Sequence, residues 1–178
     1  FDDVLEGMSQ TAGFWAPRAS LDPDAHMGPL VSEEQYNRVM GYIDAGKRDG
    51  ASVVMGGDSP ASDGGYYVNP TILADVNPQM SVVREEIFGP VVVAQRFDDL
   101  DEVAKMANDT CYGLGAGVWT RDVSALHRLA SKIKSGTVWG NCHGVIDTAL
   151  PFGGYKESGI GREQGIQGLD AYQETKTV

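Results

Sequence analysis

Apolar residues recur along the chain with two alternating periods. Phe1, Val4, Leu5 and Met8 fall at helical spacing and predict an amphipathic helix at the start of the sequence. Residues 17–31 are rich in Pro and Asp and read as a surface loop. Ser32, with Gln35 three residues later, is a capping-box signature. The helix it opens carries Tyr36, Val39, Met40 and Ile43 on one face and stops near Gly50. Ser52 to Met55 reads as a short strand ended by Gly56 and Gly57, and a polar loop follows over 59–65. The next stretch, Tyr66 to Leu73, is extended, and Pro70 within it predicts an edge strand or a bulged one.

The second half repeats the alternation. Val91-Val92-Val93-Ala94 is continuously apolar, as expected of a strand buried on both faces. Asp99 opens a helix with Leu100, Val103, Ala104 and Ala107 inward, and Gly115 to Thr120 is a strand. Asp122 caps a helix with Leu126, Leu129, Ala130 and Ile133 inward, and Thr137-Val138-Trp139 is the next strand. Strand–helix–strand order predicts right-handed crossovers. The fold class is α/β, a largely parallel twisted sheet with flanking helices.

Composition narrows the function. The 178 residues, 42% apolar and 22% charged, suit one folded domain or slightly more and exclude disorder and coiled coils. A net charge of −11 argues against nucleic acid, whose phosphates repel such a surface. No apolar run approaches the roughly 20 residues of a membrane helix. Cys111 and Cys142 cannot build a disulfide framework, and reduced thiols in an intracellular, cytoplasmic setting are the simplest reading. With His26, His127 and His143 they show no metal-ligand spacing, so no metal is expected. Asn108-Asp109-Thr110 matches a glycosylation acceptor but lacks a secretory signal to support it. Phe1 already lies in an amphipathic pattern and Val178 falls in mid-pattern, so a piece of a longer protein is expected.

Three constellations could carry chemistry. Cys142-His143 would be a thiolate–imidazole pair, but neighbours on an extended segment point to opposite faces, which favours a packed Cys beside a partly exposed His. Glu85-Glu86 precedes Ile87-Phe88-Gly89-Pro90 and a strand. One carboxylate there could accept both hydroxyls of a ribose, with Phe88 against a flat heterocycle; a surface charge and a core Phe is the plainer alternative. Pro151 to Glu163 holds four glycines in nine residues and reads either as a structural turn or as a ligand-facing loop. The glycines of Gly113-Leu114-Gly115-Ala116-Gly117 read as thinned for close packing.

Together these stretches resemble the C-terminal part of the aldehyde dehydrogenase superfamily. The resemblance spans Phe1 to Val178 and rests on several motifs in family order. These are Met27-Gly28-Pro29-Leu30, Glu85 to Val91, Asn108 through Leu114, Gly136 to Trp139 with Asn141, and Pro151 to Glu163. It implies the C-terminal part of a catalytic domain, with 1–160 a partial catalytic domain and 161–178 a helix and the start of a strand through which subunits pair. It also implies oxidation of a small-molecule aldehyde to a carboxylic acid through a cysteine thiohemiacetal and thioester. The cofactor would be NAD, with NADP possible, and the intact enzyme a homodimer or homotetramer. Glu86 matches the residue that holds the nicotinamide ribose, and Phe88 one that lies near the nicotinamide ring. Gln35 and Arg38 match positions that reach the ribose and phosphate region. Phe152 matches an aromatic of the aldehyde pocket, and Gly144 and Ile146 sit at its variable mouth. The family's nucleophilic cysteine, general-base glutamate and dinucleotide loop match nothing in this sequence, so no catalytic residue is assigned and the chain alone is expected to be inactive. A catalytically silent binding or oligomerisation module with this fold is the alternative.

Overall fold

The structure is a computed structural model that describes residues 1–60 and 64–178, so the middle of the polar loop expected over 59–65 lies outside the described residues. The chain divides into two compact units, Phe1–Arg96 and Phe97–Val178.

In the first unit, helix α1 (Asp2–Ala12) precedes a 3-10 turn at Gly13–Trp15, and the loop over 17–31 follows as expected. Helix α2 (Glu33–Arg48) starts where Ser32 turns extended and its hydroxyl accepts the Gln35 amide at 3.2 Å. Glu33 and Glu34 in its first turn and Lys47 and Arg48 in its last complement the helix dipole. Gly50, at φ +101°, ends it. Strands β1 (Ser52–Met55), β2 (Thr71–Ala74) and β3 (Val91–Val93) form one sheet in the order β1-β2-β3, and helix α3 (Ser81–Arg84) lies between β2 and β3 in sequence. β1 runs antiparallel to β2, while β2 and β3 are parallel from Thr71↔Val91 to Leu73↔Val93.

Two expectations change here. The strand after Pro70 is central and not an edge. Pro70 stands one position before β2, so its missing N–H is not asked of the ladder, and the register irregularity falls on β1 between Val53 and Met55. The strand expected to be buried on both faces is the edge strand β3. Val91 and Val93 are half-buried against the core, whereas Val92 stays 48% exposed. The strand buried on both faces is β2. On one side Leu73 packs into a core with Val39, Ile43, Val68, Met80, Val82 and Ile87. On the other, Ile72 floors an apolar groove of about 540 Å³ walled by Met8, Trp15 and Met27. Of the helical stripe Tyr36, Val39, Met40 and Ile43, Val39 and Ile43 are fully buried and share the centre of this unit with Val68, Thr71, Ile72 and Leu73, while Tyr36 and Met40 pack partly buried at its edge.

The second unit contains α4 (Leu100–Asn108), β4 (Gly115–Val118), α5 (Val123–Lys132) and β5 (Thr137–Gly140), with β4 and β5 parallel from Gly115↔Thr137. Both helices start at the aspartates expected to cap them. Asp99 accepts from the Asp101 and Glu102 amides, and Asp122 from those of Ser124 and Ala125. Ala104, Val118 and Leu129 form the core, with Leu100, Val103, Leu126, Ile133 and Val138 around it. Ala107, expected inward, is exposed, because α4 ends one residue later. Ile166–Tyr172 is a 3-10 helix, and among the described residues no strand pairs with 173–178.

The glycines of the β4 segment do mark close packing. A side chain on Gly115 would strike the Trp139 ring at 2.7 Å, and one on Gly113 the Lys134 carbonyl at 2.6 Å. No helix among the described residues is long and apolar enough to cross a membrane.

Candidate functional site

Four of the residues singled out in the sequence meet in the first unit. Gln35, Arg38 and Tyr42 follow one another at i, i+3 and i+7 on α2 and so share a face adjacent to the apolar stripe. Against that face lies the segment 85–90. The Gln35 amide nitrogen donates to the Phe88 carbonyl at 2.8 Å and to that of Ile87 at 3.2 Å. Arg38 Nη2 donates to the Glu86 carbonyl at 3.1 Å, and the Tyr42 hydroxyl donates to Glu85 Oε2 at 2.6 Å. The Ser32–Gln35 capping box is thus half-used: the Ser32 hydroxyl caps the helix, while the Gln35 side chain goes to the distant segment.

These bonds act on backbone and leave the functional side chains outward. Ile87 anchors the segment in the core at 8% exposure, whereas the neighbouring Phe88 is 72% exposed. Phe88 sits at φ +55°, a left-handed conformation that costs a non-glycine residue roughly 1–2 kcal/mol. Gly89 allows the next turn to press on α2, since a side chain there would meet Val39 Cγ2 at 2.6 Å. The Glu86 carboxylate is exposed, and among the described residues no group engages it. An outward carboxylate can accept two hydroxyls of a diol, and an outward aromatic face beside it can lie along a planar ring.

The sequence reading missed Tyr42. Its position on the Gln35–Arg38 face was the available signal. Glu85, as the acceptor of its hydroxyl, raises Tyr42 above the ordinary tyrosine range, and burial of the ring adds to this.

The other candidates lie in the second unit. Gly144 (φ +72°) and Ile146 (53% exposed) share the loop after β5. That loop is held by the Trp139 indole N–H, which donates to the Val145 carbonyl at 2.7 Å. Phe152 is half-buried in a two-residue antiparallel bridge with Glu163, their amides and carbonyls exchanged at 2.7 Å. The glycine-rich segment around it is tied to the turn after α4. Tyr155 N donates to the Gly113 carbonyl, Gly113 N to the Ser158 hydroxyl, and Lys156 Nζ to the carbonyls of Asn108 and Thr110, each within 2.9 Å. Segment 151–163 is thus fastened to the stretch 108–113 by backbone and by Lys156. The Asn108 amide that matched an acceptor sequon bridges Lys132 and Lys134.

Cys142 is half-buried, and His143 is exposed with its ring 4.9 Å from the Trp139 indole. Among the described residues no group of three or more His, Cys, Asp and Glu could hold a metal ion.

Comparison with known proteins first defines a class. The fold superposes on the NAD+ complex of an aldehyde dehydrogenase from Bacillus cereus with a TM-score of 0.94 and 46% identity, covering 100% of this chain and 36% of that one. Aldehyde dehydrogenase 1A1 of Oryctolagus cuniculus is 44% identical over 178 residues, which is 100% of this chain and 36% of that protein. A betaine aldehyde dehydrogenase of Mesorhizobium japonicum is 47% identical over 161 residues, or 89% of this chain and 33% of that protein. The sequence pattern of the aldehyde dehydrogenase family matches residues 1–178. The chain belongs to the aldehyde dehydrogenase family, a family of oxidoreductases, and spans about a third of the length of these relatives.

Proposed function

We propose that this chain is the C-terminal portion of an NAD(P)-dependent aldehyde dehydrogenase, in which it contributes one side of the cofactor site and one wall of the aldehyde entrance. NAD, when bound, supplies the hydride acceptor. The Glu86 carboxylate holds the nicotinamide ribose hydroxyls, and the Phe88 ring lies against the nicotinamide. Gln35 and Arg38 stand beneath the ribose and phosphate region, and each also fixes the backbone that carries Glu86 and Phe88. Phe152, Gly144 and Ile146 line the aldehyde entrance, a small and an aliphatic residue leaving its mouth roomy. The attacking thiolate belongs to a cysteine of the whole protein, and neither Cys111 nor Cys142 takes that role.

The observation that carries this reading is the outward pair at 86 and 88. A bulky aromatic is kept exposed in a left-handed conformation beside an unengaged carboxylate, on a loop tied down at three points. A purely structural loop has no need of either side chain in that position. Glu86→Gln, in the protein that carries this chain, is expected to slow aldehyde-dependent NADH formation at least about tenfold, the worth of one charge-assisted hydrogen bond. Its thermal stability should not change. Wild-type turnover together with wild-type NAD affinity would refute the role. The 178-residue chain expressed alone is expected to form no NADH from aldehyde and NAD, and measurable turnover there would overturn the division of labour.

A further inference from the structure

Glu85, the first carboxylate of the pair, is left without a task by the cofactor reading. It is extended, with φ −110° and ψ 154°, so its side chain and that of Glu86 leave the backbone on opposite sides. The Tyr42 hydroxyl takes Glu85 at 2.6 Å. The Tyr42 ring lies 5.7 Å beneath the Arg38 guanidinium, whose Nη2 holds the Glu86 carbonyl. Tyr42, Arg38 and Glu85 line one polar groove together with Ser81, Gly41 and Ala45.

We propose that Tyr42 is a positioning residue for the cofactor site: by pinning the Glu85 side chain to helix α2 it turns the Glu86 carboxylate outward and sets its aim. The proposal rests on the assignment of Glu86 to the cofactor ribose. With Gln35 on the Ile87 and Phe88 carbonyls and Arg38 on that of Glu86, every residue from 85 to 88 is then gripped by one face of one helix. Three of the grips are on backbone, and the buried Ile87 sets which face of the segment points inward. The grip on the Glu85 side chain fixes the same roll on the other side of Glu86, so that Glu86 is held between two anchored neighbours. Rolling the segment would carry Glu86 toward the helix and Glu85 toward the cofactor, one carboxylate replacing the other on the wrong geometry. Because the hydroxyl is a donor to a carboxylate, its proton is held firmly at neutral pH and the grip persists there.

The test uses the protein that carries this chain, with NAD as the probe. Calorimetric Kd for NAD and amide hydrogen exchange over residues 85–90 without NAD would be measured for Tyr42→Phe, Glu85→Leu, their double variant, Glu85→Gln and Glu86→Gln. Tyr42→Phe keeps the ring beneath Arg38 and removes only the donor. It is expected to weaken NAD about tenfold, the loss of one hydrogen bond to a charged group, and to speed exchange over 85–90. Glu85→Leu should do the same, and the double variant no more than either alone. Glu85→Gln, which keeps an accepting oxygen, should recover most of the loss. Wild-type NAD affinity and exchange in Tyr42→Phe, with Glu86→Gln weakened, would overturn the proposal, as would additive losses in the double variant. If Glu86→Gln both binds NAD and turns over aldehyde like wild type, the cofactor assignment itself fails and the proposal falls with it. Should Tyr42→Phe not fold, Glu85→Leu decides by the same criteria.

Discussion

Gly136→Ala tests how the second unit holds Phe152. A Cβ at Gly136 would lie 1.6 Å from the Gly153 carbonyl oxygen and 2.8 Å from its carbon, with the Leu114 carbonyl at 3.4 Å. All three are backbone atoms, so no side-chain rotation relieves the clash. To restore even the 3.0 Å that real Cβ contacts essentially never undercut, the Gly153 backbone must retreat by about 1.4 Å. That movement is larger than the tolerance of the adjoining hydrogen bonds: the two at 2.7 Å between Phe152 and Glu163, and the 2.8 Å bond from Tyr155 to Gly113. Overpacking costs roughly 1–3 kcal/mol and each of the three lost hydrogen bonds roughly 1 kcal/mol, so a total loss of about 4–6 kcal/mol is expected. Domain stabilities are typically about 5–15 kcal/mol, so the segment would open at moderate denaturant. Urea unfolding followed by tryptophan fluorescence, with hydrogen exchange at Phe152 and Tyr155, reads the effect at the place argued. A midpoint shift worth less than about 0.5 kcal/mol, with both amides still protected, would refute the close approach.

Two further outcomes follow from the first unit. Gln35→Met keeps the length of the side chain but removes both donors, so a loss of about 1–2 kcal/mol and faster exchange over 87–90 are expected; chemical denaturation and exchange mass spectrometry check both. Tyr42, held above the ordinary tyrosine range by its bond to Glu85, contributes stability that is fully present below about pH 10 and lost as pH rises through its folded pKa. Phenolate absorbance should therefore show one tyrosine titrating later than in Glu85→Leu, and coincident titration curves would contradict the bond.

What was legible in the sequence was what is settled locally. The Val39–Ile43 stripe, the Ser32, Asp99 and Asp122 caps and the short strand at 52–55 each depend on neighbours within a turn or two, and each stands where the pattern put it. What was not legible depends on partners far along the chain. Pro70 looks like an edge marker until β1 and β3 close on either side of β2. The Gln35 side chain looks like half of a capping box until segment 85–90 comes within reach, 52 and 53 residues later. Tyr42 acquires a purpose only from Glu85, 43 residues away. The motif at 85–90 was readable as a unit, but its division of labour among successive residues was not, because that division is set by the helix face beneath it.

That division explains why the motif alternates carboxylates, an aliphatic, an aromatic and a glycine. A loop cannot hold a large apolar ring in water unless something else secures the backbone. Here burial of Ile87 contributes about 1.5–3 kcal/mol and the two bonds from Gln35 about 1 kcal/mol each. Together they exceed the roughly 1–2 kcal/mol of left-handed strain at Phe88. Phe88 can therefore be presented ready for a planar ligand, with no further ordering cost when that ligand arrives. Gly89 has a steric part in the same arrangement, because any side chain there would push the loop off Val39 and with it lift Ile87 from the core. A change at 89 would thus be felt first as lost anchoring and only then as lost binding, whereas a change of the outward carboxylate at 86 should be felt at the cofactor site with stability unchanged.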